Sequence, residues 1–102
     1  MPRAGYTHVL AGDVADAQQQ LAVDTTQTLT LEPTCTAVML GARAQSVWVT
    51  FDDTTPSATN GIAIVAGAQP VYIPLGYYAH ANHNLKALGA LAGGFLDVLQ
   101  LA

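Results

Sequence analysis

The chain has 102 residues and a mass of 10.6 kDa, enough for one domain with its own core and too little for a second. Its formal net charge is −4, and its only permanent cations are Arg3, Arg43 and Lys86, no two of them adjacent. Nucleic acid is therefore not expected as a partner, because phosphate backbones require a basic stripe.

The charged fraction is 10%, far below that of an ordinary soluble domain. Spread over the roughly 5,500 Å² that a chain of this mass exposes, that leaves about one charge per 550 Å². Much of the surface is expected to be covered by other chains, or coated by Thr, Ser, Gln and Ala.

The first residues, MPRAGYTHVLAGDV, carry a positive charge and no apolar h-region, so no signal peptide is visible and synthesis in the cytoplasm is expected. Val14, Ala17 and Leu21 then fall near helical spacing behind Asp13, a residue able to cap a helix. This predicts an N-terminal arm or short helix over residues 1–24. From residue 25 the pattern is β. Short apolar runs rich in Thr and Val are punctuated by Gly, Pro, Asn and Asp, which predicts a single antiparallel β-sandwich, immunoglobulin-like or jelly-roll-like, over residues 25–102. About six to eight strands are expected.

In the first of these runs Leu29 and Leu31 oppose Thr28 and Thr30, and Glu32-Pro33 ends it because proline cannot donate into a ladder. Residues 36–40 form the next strand, closed by Gly41. Residues 46–51 are the strongest: Val47, Val49 and Phe51 share one face, Ser46, Trp48 and Thr50 the other. Residues 62–65 follow, then residues 71–73 between Pro70 and Pro74.

The C-terminal run supports two readings. Leu85, Leu88, Ala92, Phe95 and Leu99 make a helical stripe, but Gly89 and the Gly93-Gly94 pair would each cost about 1 kcal/mol in a helix interior. The sheet context favours a hairpin, with the two glycines as its turn and residues 95–101 as the last strand. Lys86, Gly89, Gly93, Gly94 and Asp97 break this run too often for it to span a bilayer, and no membrane partner is expected.

Few residues suggest chemistry. Cys35 is the single cysteine, without a partner for a disulfide or a Cys-x-x-Cys motif, and reads as a small buried hydrophobe. The oxygen-rich residues 52–61 could clasp calcium, yet they lack the spacing and closing glutamate of a calcium loop. They read as a polar hairpin loop in which Pro56 fixes φ and Asn60-Gly61 permits a left-handed turn. His80 and His83 have ligand-like spacing without further ligands nearby, whereas Tyr77, Tyr78, Asn82 and Asn84 around them point to an exposed loop that touches a partner. His8 is isolated. No nucleophile elbow, paired carboxylates or phosphate loop is visible, so neither catalysis nor a cofactor or metal is expected. Trp48 lies opposite the Val/Phe face: it is either an interface residue or covered within the chain.

The stretch Val47-Trp48-Val49-Thr50-Phe51-Asp52-Asp53-Thr54-Thr55-Pro56-Ser57-Ala58-Thr59-Asn60-Gly61 resembles a motif of small virion structural proteins of tailed bacteriophages, in which a strand leads into Asp-x-Thr-x-Pro-x-Ala-Thr-x-Gly. Ile62-Ala63-Ile64-Val65-Ala66-Gly67 and the later Leu85-Lys86-Ala87-Leu88 with its closing apolar strand keep the same order. The resemblance covers roughly residues 36–101. A similar turn occurs in immunoglobulin-like accessory modules of chitin-degrading enzymes; Asp53 stands where both have glycine.

The phage resemblance implies a non-catalytic β-sandwich of the virion. A capsid decoration (cement) protein is the leading expectation, acting as a homo-oligomer, with a trimer among the candidates, on a partner such as the major capsid protein. A neck, tail or fibre component and a glycan-binding module are the alternatives. Trp48, Tyr72, Tyr77, Tyr78, His80 and His83 are the candidate interface residues.

Overall fold

The computed structural model describes residues 10–11, 17–75 and 84–102. Among them run eight strands: β1 (Gln18–Ala22), β2 (Gln27–Thr30), β3 (Ala37–Arg43), β4 (Val47–Thr50), β5 (Ile62–Ile64), β6 (Val71–Pro74), β7 (Asn84–Gly89) and β8 (Phe95–Leu101). They form two four-stranded sheets, in the orders β1-β8-β3-β6 and β2-β7-β4-β5. All strand pairings within these sheets are antiparallel. Successive strands change sheet at each connection except β4 to β5, a hairpin within the second sheet. Eight antiparallel strands wound in this order make a jelly roll.

Period-two alternation builds the core. Val38, Leu40, Leu96 and Val98 of the first sheet are buried against Val47, Val49, Ile64, Leu85 and Ala87 of the second. Each of these Val, Leu and Ile side chains contributes about 1.5–3 kcal/mol of burial, and Leu85→Ala would cost about 2–5 kcal/mol. The Val47/Val49 face is core, with Phe51 packed partly against it.

Three local readings of the sequence differ from the structure. The expected closure at Gly41 does not occur: β3 runs through it and ends at Arg43, and Ala44, with a φ of 69°, turns the chain. Gly41 is a strand residue that lacks a side chain, not a break.

The N-terminal arm or helix expected over residues 1–24 lies partly outside the described residues. Its last part is strand β1, with Leu21 opposite Leu96 on β8. The helix propensity of Gln, Leu and Ala is weaker than a full ladder along β8. Leu10 also bridges Leu101, and the Ala11 N–H donates to the Gln100 carbonyl at 3.0 Å.

Residues 95–101 are the last strand, but β7 and β8 are not a hairpin. They lie in different sheets, joined by an arch over residues 90–94. That arch packs against the β1–β2 connection: the Val23 N–H donates to the Gly94 carbonyl at 3.1 Å, and the Gly89 N–H donates to the Val23 carbonyl at 2.9 Å. A Cβ on Gly89 would stand 3.1 Å from Val23 Cγ2, and one on Gly94 2.9 Å from Gln45 Cβ. These glycines permit close approach of two arches, and Gly93, at φ 88°, makes the bend.

Candidate interaction surfaces

Alternation along the first sheet sends Met39, Gly41 and Arg43 of β3 outward, with Asp97 and Leu99 of β8 and Gln18 and Gln20 of β1. Register sets them in rows across the strands, Gln18–Leu99–Met39–Tyr72 and Gln20–Asp97–Gly41. Asp97 is held from both sides. Gln20 Nε2 donates to its Oδ1 at 3.0 Å, and Arg43 Nε pairs with its Oδ2. Because Gly41 places no side chain beside Asp97, the face carries a shallow groove of about 830 Å³. Tyr72 is 46% exposed in the neighbouring apolar row.

On the second sheet Trp48 faces outward and is half-buried, with Leu88 and Ala63 beside it in register. The next row is Thr28–Lys86–Thr50. Lys86 Nζ lies 3.4 Å from Asp53 Oδ1, so the charge on this face is paired. Trp48 and Tyr72 thus sit on opposite outer faces and cannot form one site. Tyr77, Tyr78, His80 and His83 lie outside the described residues.

Sequence reasoning missed Ile62, Val65, Val71, Leu91 and Phe95, all large apolar residues left exposed. Ile62 and Val71 are opposite the buried Val49 and Leu40, so their register is core-facing, yet each is on the last strand of its sheet. Edge position is a property of topology that local alternation does not carry. Between these two edges opens an apolar cleft of about 260 Å³, with Val49, Phe51, Ile62, Ile73 and Leu75 among its walls.

The polar loop between β4 and β5 turns its oxygens upon itself. Thr50 Oγ1 donates to the Thr54 carbonyl at 2.6 Å, and Asn60 Nδ2 donates to Thr54 Oγ1 at 2.9 Å and to the Thr55 carbonyl at 2.8 Å. Asp52 Oδ1 accepts the Thr54 hydroxyl at 2.5 Å and its N–H at 3.2 Å. These two bonds, the hydroxyl's first, hold the Asp52 carboxyl below the ordinary carboxylate range. Asp53, in the position of the resembled motif's glycine, has a φ of 67°. Gly61 has a φ of 122°, and a Cβ there would lie 2.6 Å from the Val49 carbonyl oxygen. Among the described residues no group of three or more His, Cys, Asp and Glu could hold a metal ion. Cys35 is buried, and burial pushes its thiol up.

No known protein family, curated protein or solved structure matches the chain.

Proposed function

We propose that this chain is a non-catalytic structural protein of a tailed-bacteriophage virion, a capsid-decorating protein that works by association as a homo-oligomer on the shell. One observation carries the association reading. The charged residues on the eight strands are Arg43, Lys86 and Asp97, and each is in an ion pair. The sheet faces are thus electrically quiet and bear Trp48, Leu88, Met39, Leu99 and Tyr72, as a surface that meets other protein does. The jelly roll also recurs in viral capsid domains, a fold-level analogy in favour of the virion setting.

The test is to count the copies of the chain in purified particles of the phage that encodes it, by quantitative mass spectrometry. A decoration protein is present in hundreds of copies, a neck ring in about a dozen by symmetry. Absence from the particle overturns the reading.

The groove beside Asp97 favours a second reading, a glycan-binding module, because planar amide, carboxylate and guanidinium groups lie next to an apolar row containing Tyr72. It predicts a glycan-array signal that Tyr72→Ala and Gln20→Ala both abolish. No signal from the folded chain removes it.

A further inference from the structure

The polar loop between β4 and β5 holds a pair of residues that react with each other. Of the three asparagines, Asn60, Asn82 and Asn84, Asn60 alone is followed by glycine. With no side chain on Gly61, its backbone nitrogen is the least hindered nucleophile a chain offers to the side-chain amide before it. Both residues are exposed, and among the described residues no protein group accepts a hydrogen bond from the Gly61 N–H. Asn60, by contrast, is held. Its side-chain nitrogen donates to Thr54 Oγ1 at 2.9 Å and to the Thr55 carbonyl at 2.8 Å. Its backbone is bonded twice to Ser57: the Asn60 N–H donates to the Ser57 carbonyl at 3.1 Å, and the Asn60 carbonyl accepts the Ser57 N–H at 2.9 Å. Turning the side chain towards Gly61 breaks the first two bonds, and turning the backbone breaks the other two.

We propose that Asn60 is a site of spontaneous deamidation whose rate is set by the hydrogen bonds of this loop, and whose products unfasten the loop. The Gly61 nitrogen loses its proton to solvent and bonds to Cγ of Asn60. The bond from Cγ to the side-chain nitrogen breaks, and that nitrogen takes a proton from solvent and leaves as ammonia. Water then opens the cyclic imide. Cleavage of the new bond gives aspartate; cleavage of the original peptide bond gives isoaspartate, which runs the main chain through one extra methylene. An ionised carboxylate accepts hydrogen bonds and donates none. In place of the amide nitrogen, its oxygen faces the Thr55 carbonyl oxygen, another acceptor, and the Thr54 hydroxyl, whose proton already goes to Asp52 Oδ1. Neither former partner answers it, and Asp52 adds a like charge on the far side of that hydroxyl. The extra methylene of isoaspartate falls two residues before the Val49–Ile62 pairing that begins the β4–β5 ladder. Both products therefore loosen the loop, and loss of ammonia makes the change one-way.

The site is independent of the association reading, since a monomer carries it equally. The test is peptide mapping by mass spectrometry of the full chain after incubation at mildly alkaline pH, folded in buffer and unfolded in guanidinium chloride, with Asn82 and Asn84 as internal references. In the unfolded chain Asn60 should convert to the acid faster than either reference, and Gly61→Ala should slow it several-fold because a Cβ then shields the nucleophile. In buffer the natural chain should convert at Asn60 more slowly than when unfolded. Thr54→Val removes one of the two side-chain acceptors and should speed conversion in buffer about fivefold, the factor that one ordinary hydrogen bond is worth. Asn60→Asp, which reproduces one product, should quicken hydrogen exchange over residues 52–61 and leave β3 and β8 unchanged. Conversion in the unfolded chain no faster at Asn60 than at the references overturns the site. Equal rates in the folded and unfolded chain, or no response to Thr54→Val, overturn the control by the loop, and unchanged exchange in Asn60→Asp overturns the unfastening. Should Thr54→Val fail to fold, the comparison of folded with unfolded natural chain decides the control.

Discussion

Gln100 Oε1 accepts the backbone N–H of Glu32 at 2.6 Å across 68 residues of chain, and the Gln100 side chain is fully buried. It follows Leu96 and Val98 on the inward side of β8, where alternation calls for a third aliphatic. The amide instead anchors the turn that begins at Glu32, where the Cys35 N–H donates back to the Glu32 carbonyl at 2.9 Å and Pro33 presets the second position. Gln100→Met keeps length and volume but leaves that N–H without its acceptor. We expect a loss of about 1–3 kcal/mol, read as a lower urea midpoint with an unchanged m-value. An unchanged midpoint would mean that water replaces the bond freely.

Two turns hold residues other than glycine in the left-handed region, Ala44 at φ 69° and Asp53 at φ 67°. Alanine is poorly suited to that region, where left-handed backbone costs about 1–2 kcal/mol. Ala44→Gly should stabilise by about 0.5–1 kcal/mol after the extra entropy of the unfolded chain is subtracted. Aspartate tolerates the region better, and Asp53→Gly also gives up the exposed pairing with Lys86, so a smaller gain is expected there. Thermal unfolding of both variants should rank Ala44→Gly above Asp53→Gly.

Gly61 predicts the opposite sign. Gly61→Ala would drive a Cβ to 2.6 Å from the Val49 carbonyl oxygen at a φ of 122°, with strain of about 1–3 kcal/mol. Because Val49 is opposite Ile62 in the β4–β5 ladder, the damage should centre on that hairpin. Hydrogen exchange should quicken there before it does in β3 and β8, and uniform quickening would count against this local account.

Acid should loosen the loop between β4 and β5. The Asp52 pKa is lowered in the folded chain, so its contribution is complete above the ordinary carboxylate range and is lost as pH falls through the lowered value. The Thr54 amide resonance should report that titration, at a pH below that of an unstructured aspartate. Asp52→Asn should remove the transition, and its persistence would assign it to another group.

Cys35 should behave as a core residue. Burial raises its thiol pKa, and Sγ lies 3.2 Å from the Ala37 carbonyl oxygen. A thiol reagent at mildly alkaline pH should therefore modify the chain only at the rate of unfolding. Fast modification of the folded protein would show that the site opens locally.

Residues read in order are enough for the all-β class, the two-faced alternation that sets Val47 and Val49 against Trp48, the polar hairpin loop and the last strand. All of these follow from period-two alternation or from turn chemistry, which a few consecutive residues carry. Which sheet each strand joins, and which face of β4 is core, is set by packing in three dimensions. Alternation looks the same whether Leu85 and Leu96 belong to neighbouring strands of one sheet or face each other from two, so the arch at residues 90–94 reads locally as a hairpin turn. Likewise residues 18–22, with fair helix propensity, become β1 because β8 offers them a complete ladder. The open edge of β5 has the same origin: Ile62 has the register of a core residue, and only the strand order leaves it at the end of its sheet.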